Sequence, residues 1–357
     1  MSGVSAAPGT RRDPGPGRAS GTLVLRRGPY SITLHRRSLL VAAVLLVLLA
    51  GALVAAACVG QPFVPPGEVF RILRGEPSRD ALVVGELRVP RAVLGALVGA
   101  ALGLSGALIQ SVTRNPLASP DVIGVSHGAA AANVTALATG LVTSPGALPL
   151  VSAVGGLAAA ALVYVLAWRG GTAHSGRFVL TGTGIGVALS AVVQLYASES
   201  EPSQAEQVKL WLTGSLNGRG WAEAEPLALA LMLALPALVV AARALRVTGL
   251  DPDTAAGLGV PVARVRLGLT ALGALLAAAA VAAAGPIGFI ALTAPQLSRR
   301  LTRTPHLPLA TSALTGSVTL VLADLAARTA LPPLEIPAGA LTAAVGGPYF
   351  LWLLTRR

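Results

Sequence analysis

Long apolar stretches alternate with short polar connections along this chain. The stretches run over 38–60, 91–113, 122–142, 148–168, 176–198, 225–246, 264–284, 286–302, 308–328 and 338–355. None shows the period-two alternation of a half-buried strand. Most reach the roughly 20 residues that an α-helix needs to cross the apolar core of a bilayer, about 30 Å thick. The pattern predicts an all-α integral membrane protein with about ten transmembrane helices.

Residues 1–37 are rich in Gly, Pro, Ser and Arg and lack hydrophobic periodicity, so they read as a disordered basic cytoplasmic tail. Residues 38–357 form the transmembrane domain. The stretch 38–60 is longer than a signal-peptide core of about 7–15 residues and reads as a retained first helix. Cys58 follows three alanines, faintly like a lipoprotein cleavage site, and reads instead as a small packing residue of that helix.

Three connections are long. Residues 61–90 hold Pro, Gly and several charges. Residues 199–224 begin ESEPSQAE and continue VKLWLTGSLNGRGW, which reads as a short amphipathic helix anchored at the membrane surface by Trp211 and Trp221. Residues 247–263, VTGLDPDTAAGLGVPVA, have an Asp-Pro-Asp start that can cap a short helix and Gly257 and Gly259 to end one. A helical hairpin there gives a partner protein something to hold.

Composition narrows the function. Hydrophobic residues make up 54% of the chain and charged residues 12%, which excludes disorder and an ordinary soluble domain. A net charge of +12 suggests nucleic acid in a soluble protein. Here the charge sits in tail and loops, with no basic face interleaved with aromatics, so it serves anchoring to lipid and orientation rather than nucleic-acid binding. With the N-terminus inside, the inner segments hold the larger share of the 27 Lys and Arg. Both termini are therefore expected in the cytoplasm, with the chain in the plasma membrane and an even number of spans.

Chemistry-bearing motifs are sparse. Lys209 is the only lysine and lies in QVKLW, so there is no phosphate-binding Walker loop. One cysteine allows no internal disulfide, and His35, His127, His174 and His306 lack metal-ligand spacing. Gly124-Val125-Ser126-His127-Gly128 has the spacing of a nucleophile elbow, but no strand precedes it. Gly182-Thr183-Gly184-Ile185-Gly186 resembles a dinucleotide loop with the wrong third spacing, inside a membrane helix. Gly95, Gly99 and Gly103 sit four apart and let a neighbouring helix reach backbone contact. Asp324 and Arg328 share a helix face and can pair. Arg88 and Arg91 flank Pro90 just outside the second span, where snorkelling is ordinary and recognition of something outside is plausible. Asp324 is the only acidic residue well inside a span, so the pattern does not describe a path for a bare ion. Any cargo is expected to be bulky, its charge masked, its contacts diffuse and mostly apolar.

Residues 87–130, LRVPRAVLGALVGAALGLSGALIQSVTRNPLASPDVIGVSHGAA, resemble the signature of the ferric-siderophore and vitamin B12 permeases of ABC importers. GPIGFIALTAPQLSRRLTR (285–303) and ADLAARTALPPLEIPAGALTAAVGGPYFLWLL (323–354) do so as well, and GLDPDTAAGLGV is similar to the loop by which the family contacts its ATPase. The resemblance spans 38–355. It implies the type II importer permease architecture: ten helices per subunit, and two permease subunits, alike or different, around a central path. Two separate ATPase chains would carry ATP and Mg, an outer binding protein would deliver the cargo, and this chain would hold no cofactor of its own and catalyse nothing.

Residue by residue, the resemblance implies that Arg88, Arg91 and Arg328 receive acidic residues of the binding protein. It implies that Asp251, Ala255, Ala256, Leu258 and Gly259 contact the ATPase, and that Trp211, Gly214 and Ser215 lie near the gate. Pro295-Gln296 departs from the Pro-His of many members and, with GGPYFLWLL, is similar to the ferric-enterobactin branch. A ferric siderophore, by this resemblance a catecholate, is the expected cargo. Vitamin B12 or haem is the alternative within the family, and an ion-coupled secondary transporter the alternative outside it.

Overall fold

Each apolar stretch folds as a helix whose ends lie close to the predicted span. In a computed structural model the described residues are 22–27, 30–142, 147–169, 172–173, 175–199, 211–248, 257, 261–304, 306–331 and 334–355. The helices are α1 (Arg36–Cys58), α2 (Pro66–Leu73), α3 (Val89–Thr113), α4 (Val125–Ala138), α5 (Leu148–Ala167) and α6 (Ser175–Glu199). They continue with α7 (Trp221–Thr248), α8 (Val262–Ala284), α9 (Ile290–Thr302), α10 (Leu309–Thr329) and α11 (Ala338–Thr355). Among the described residues, seven helical stretches are long and apolar enough to cross a bilayer: α1, Val83–Thr113, α5, Gly176–Glu199, Trp221–Leu245, α8 and α10.

Helices α4 and α9 are shorter than the spans 122–142 and 286–302, and backbone geometry explains both. Gly124 adopts φ +81 and closes a 3-10 turn over Pro120–Ile123, so α4 starts only at Val125. Before α9, Gly285 (φ +74) and Phe289 (φ +67) hold the chain out of helix until Ile290. The start of α3 is also irregular. Pro90 has no N–H for the carbonyl of Glu86, and the preceding turn, Val83–Arg88, widens to a π-helix.

Three short features escaped the sequence reading. Helix α2 buries Val69 and Ile72 beneath the end of α1, and Pro66 at its first turn suits a helix start. Within the expected tail, β1 (Thr22–Arg27) and β2 (Tyr30–His35) pair antiparallel, from Thr22 opposite His35 to Arg27 opposite Tyr30. A second ribbon joins β3 (Trp168–Arg169) to β4 (Thr172–Ala173).

Side-chain bonds order the helix ends. Arg37 at the start of α1 donates to the Leu301 carbonyl at the end of α9 (2.8 Å), which marks one face of the bundle, the near face. On the far face the end of α1 meets the start of α3 and the end of α10.

Helix α3 is the centre of the bundle and is buried along most of its length. Small residues allow its close contacts. A β-carbon on Gly99 would overlap the Gly316 carbonyl of α10, one on Gly103 the Ser312 carbonyl, and one on Gly106 the Ala291 carbonyl of α9. Ser317 Oγ donates to the Ala96 carbonyl (2.7 Å), and Ser105 Oγ donates to the Gly273 carbonyl of α8 (2.6 Å). Helices α4 and α5 meet the same way through Gly128 and Gly155, with Asn133 Nδ2 donating to Ser152 Oγ at 2.6 Å. The outer surfaces carry exposed Leu40, Val47, Leu150, Leu180 and Leu233, an apolar exterior that only lipid or another apolar surface covers at low cost.

Candidate functional site

The far face holds a knot of charged side chains around the end of α1. The last carbonyls of a helix lack intrahelical donors, and cations suit that end. Arg88 Nη1 donates to the Ala57 and Cys58 carbonyls (3.3 and 3.2 Å), and its Nη2 donates to the Pro62 carbonyl (2.6 Å). Arg328 Nη2 donates to the Ala56 carbonyl. Gly60 leaves room for the Arg88 guanidinium, which a β-carbon there would strike.

Arg91 forks onto Asp324. Its Nη2 lies 2.9 Å from Oδ1 and its Nε 3.0 Å from Oδ2, while Nη1 donates to Glu335 Oε2 at 3.0 Å. The ion pair expected between Asp324 and Arg328 is thus made by Arg91 instead. Arg328 lies one turn further along α10, where the open end of α1 offers a carbonyl. The structure brings Arg88, Arg91 and Arg328 together, as the sequence grouped them, but turns their guanidinium groups inward. Arg88 and Arg91 are buried, and Glu335, half-exposed, forms the rim.

A cavity of about 630 Å³ runs along α6, walled on the other side by the 3-10 turn and the first turn of α4. Thr183, Val187, Ser190 and Gln194 form its α6 stripe, at spacings of three and four that share one helix face. Opposite stand Asp121 and His127. Ser126 Oγ donates to Asp121 Oδ1, and His127 Nδ1 is buried beside Gly186 with no hydrogen-bond partner. Gly182 lets α6 approach the Val122 carbonyl. Both glycine motifs singled out in the sequence therefore act in packing, and Ser126 bonds a carboxylate rather than an imidazole. The cavity extends toward the far face to Leu212, Pro286 and Gly288.

The expected gate residues lie at that end. Gly214 adopts φ +67, and a β-carbon on it would overlap the Pro286 carbonyl; its own carbonyl accepts from Gly339 N (3.0 Å), and Ser215 N donates to the Ala284 carbonyl (3.0 Å). Trp211 packs against Ala130, Val134 and Val193 instead of anchoring at a surface. Trp221 is partly exposed and donates to the Gly85 carbonyl (3.3 Å). The preceding acidic run beyond Glu199, and Lys209, lie outside the described residues, as do Asp251, Ala255, Ala256, Leu258 and Gly259. Sequence reasoning missed Asp121 as a wall residue. Its place in NPLASPD just ahead of α4 was visible, but only the fold sets α6 opposite it.

Membrane-length helices on a glycine seam, with a partly polar cavity along one of them, define a multi-pass membrane transport protein. The chain belongs to the FecCD transport family, whose model matches residues 44–356. It is 39% identical to the achromobactin transport system permease protein CbrC of Dickeya dadantii, over 94% of this chain and 97% of that protein. It is 37% identical to the ferric enterobactin transport system permease protein FepG of Escherichia coli, over 80% and 87%. Among solved structures it superimposes on an inward-facing metal-chelate type ABC transporter with a TM-score of 0.77 and 28% identity, covering 90% of this chain and all of the other.

Proposed function

We propose that this chain is the permease subunit of an ATP-driven importer that moves ferric siderophore complexes across the plasma membrane into the cytoplasm. The observation that carries this reading is the family match over nearly the whole transmembrane domain, with relatives named for the transport of achromobactin and ferric enterobactin. The far face is then extracytoplasmic and both termini are cytoplasmic. Two ATPase chains supply ATP and Mg chemistry, which a chain without a Walker loop requires. A second permease copy or a related chain completes the central path.

The knot sets the three cations Arg88, Arg91 and Arg328 against the two carboxylates of Asp324 and Glu335, one positive charge in excess. That charge suits an acidic surface of a cargo-delivering protein, for which complementary charge sets encounter and register more than affinity. ATP binding moves the ATPases, the 247–263 loop passes that movement to the helices, and the cavity changes the side it faces. Such a change needs a difference in affinity between the two states.

The test is uptake of radioiron-labelled siderophores in cells that carry or lack this chain. Uptake should require the chain and ATP hydrolysis. Replacing Leu258 and Gly259 with arginine should leave the chain in the membrane but uncouple it. Uptake that persists without ATP hydrolysis and collapses with the ion gradient overturns the reading in favour of a secondary transporter.

A further inference from the structure

Helix α1 turns a face outward for only part of its length. Leu40, Val47 and Val54 stand seven residues apart and share that face. Leu40 and Val47 are 67% and 73% exposed, whereas Val54 is covered. The cover is α2, whose Val69 and Ile72 form one apolar cluster with Val54, Ala57 and Cys58. The bundle lies on the other side of α1, where Ala52 and Ala56 meet Ala92 of α3 and Val321 of α10. Helix α2 is thus laid over the end of α1 on the side away from the bundle.

The outer side of α2 is not one that water selects. Phe70 and Leu73, three residues apart, flank the buried pair and are 51% and 55% exposed. Phe63, in the approach to the helix, is exposed as well. Across the helix, Arg71 pairs with Glu68 (3.1 Å) and Glu76 (2.7 Å). The apolar arc therefore extends past the part that the protein covers, while ion pairs keep the opposite side polar. That is the pattern of a helix lying in the plane of a membrane interface. Two arginines and two glutamates over 68–76 balance in charge, so insertion of apolar side chains, not attraction to charged headgroups, holds such a helix.

Depth agrees with this. Exposure along α1 ends at Gly51, and at 1.5 Å per residue the turns from there to Cys58 span about 10 Å. A bilayer core about 30 Å thick takes up most of the 23 residues of α1, so its far boundary falls on the turns that α2 covers. Lipid at that depth meets α2 in place of α1.

We propose that α2 is an interfacial helix embedded in the far-face leaflet. Phe70, Leu73 and Phe63 lie against acyl chains, and Glu68, Arg71 and Glu76 lie among the headgroups. The occupant of this surface is lipid rather than another protein. The proposal holds whichever cargo the transporter carries.

The test is nitroxide accessibility in the assembled transporter in lipid nanodiscs. The one native cysteine, Cys58, is buried, so Phe70→Cys, Leu73→Cys, Arg71→Cys and Glu76→Cys each present a single thiol for labelling. All four positions are exposed, and unchanged unfolding temperatures would verify the fold. Molecular oxygen concentrates in the apolar layer, and a nickel chelate stays in water. Labels at positions 70 and 73 should favour oxygen over nickel severalfold more than labels at 71 and 76, and a saturating cargo-delivering protein should change neither. Nickel access at 70 and 73 equal to that at 71 and 76 overturns the proposal, because the helix then stands in water. Low access of both reagents at 70 and 73, or access lost only when the delivering protein is added, overturns it in favour of a protein partner. None of these arms reads iron uptake, so their failure leaves the importer reading standing.

Discussion

Arg91 on α3 and Asp324 on α10, 233 positions apart in sequence, form a forked ion pair with side chains only 10% and 6% exposed. Removing one member of a buried pair strands the other charge, at about 3–5 kcal/mol. Arg91→Met and Asp324→Leu should therefore each lower the unfolding temperature in detergent sharply. The double variant should recover most of the loss, because neither member of the buried pair is left behind, and Glu335, which also loses Arg91, is half-exposed and solvated. Glu335→Gln, at the half-exposed rim, should cost no more than about 1 kcal/mol. Simple addition of the two losses in the double variant would show that the pair is not coupled.

The same geometry bears on Arg88. Its guanidinium satisfies three carbonyls, so Arg88→Glu sets a carboxylate against acceptors that it cannot serve. The amount of folded chain should fall before any contact with a partner is tested. Normal folded yield with impaired cargo delivery would mean that the side chain turns outward in the working transporter.

Much of this architecture could be read from the chain. The apolar spacing placed ten helices, because in lipid the backbone must satisfy itself within each segment and the period is forced. The GxxxG pattern pointed to close packing, though not to its partners. That Gly99 meets Gly316 and Gly106 meets Ala291 depends on tertiary neighbours more than 180 residues away. The three arginines lie close together in the fold, but Asp324 was assigned the partner four residues along its own helix. Local spacing cannot weigh that neighbour against Arg91 arriving from α3. The cavity wall was invisible for the same reason, since Asp121 and Gln194 face each other only once α6 crosses α4.

The glycine seam sets a steric prediction. A β-carbon on Gly99 or Gly316 enters the opposing backbone, which cannot yield as a flexible side chain can. Gly99→Ala and Gly316→Ala should each reduce monodisperse protein in size-exclusion chromatography by most of its yield. Overpacking of this kind costs about 1–3 kcal/mol and more where backbone is struck. Gly184→Ala meets nothing within 4 Å on α6 and should be neutral or mildly stabilising. Equal behaviour of the three variants would refute the close approach of α3 and α10.

Pro295 makes a demand that Gln110 meets. Proline cannot donate to the carbonyl four residues back, which is that of Ala291. Gln110 Nε2 from α3 donates to the Ala291 and Leu292 carbonyls (3.3 and 3.1 Å), and Gln296 Nε2 in turn donates to Gln110 Oε1 (2.6 Å). Gln110→Leu should cost about 1–3 kcal/mol for the buried groups left unpaired. Pro295→Ala in the same chain restores a backbone donor and should return part of that loss, read as a rise in unfolding temperature over Gln110→Leu alone. No recovery would mean that Gln110 acts chiefly through Gln296.

Gly214 packs on Pro286, a lining residue of the cavity, at a point where no other residue fits. Its φ of +67 costs an L side chain strain, and a β-carbon would enter the Pro286 carbonyl. Gly214→Ala should push the 211–216 segment off the α8–α9 junction and open the cavity to the far side. Cys58 is buried and is the only native cysteine, so Gln194→Cys provides a single accessible thiol on the cavity wall. In intact cells, a membrane-impermeant thiol reagent should label that cysteine faster when Gly214→Ala is also present. Iron uptake should fall in step, because a cavity open outward in every state cannot alternate. Equal labelling rates would show that the segment leaves access to Gln194 unchanged, and the gate must then be sought elsewhere along α6.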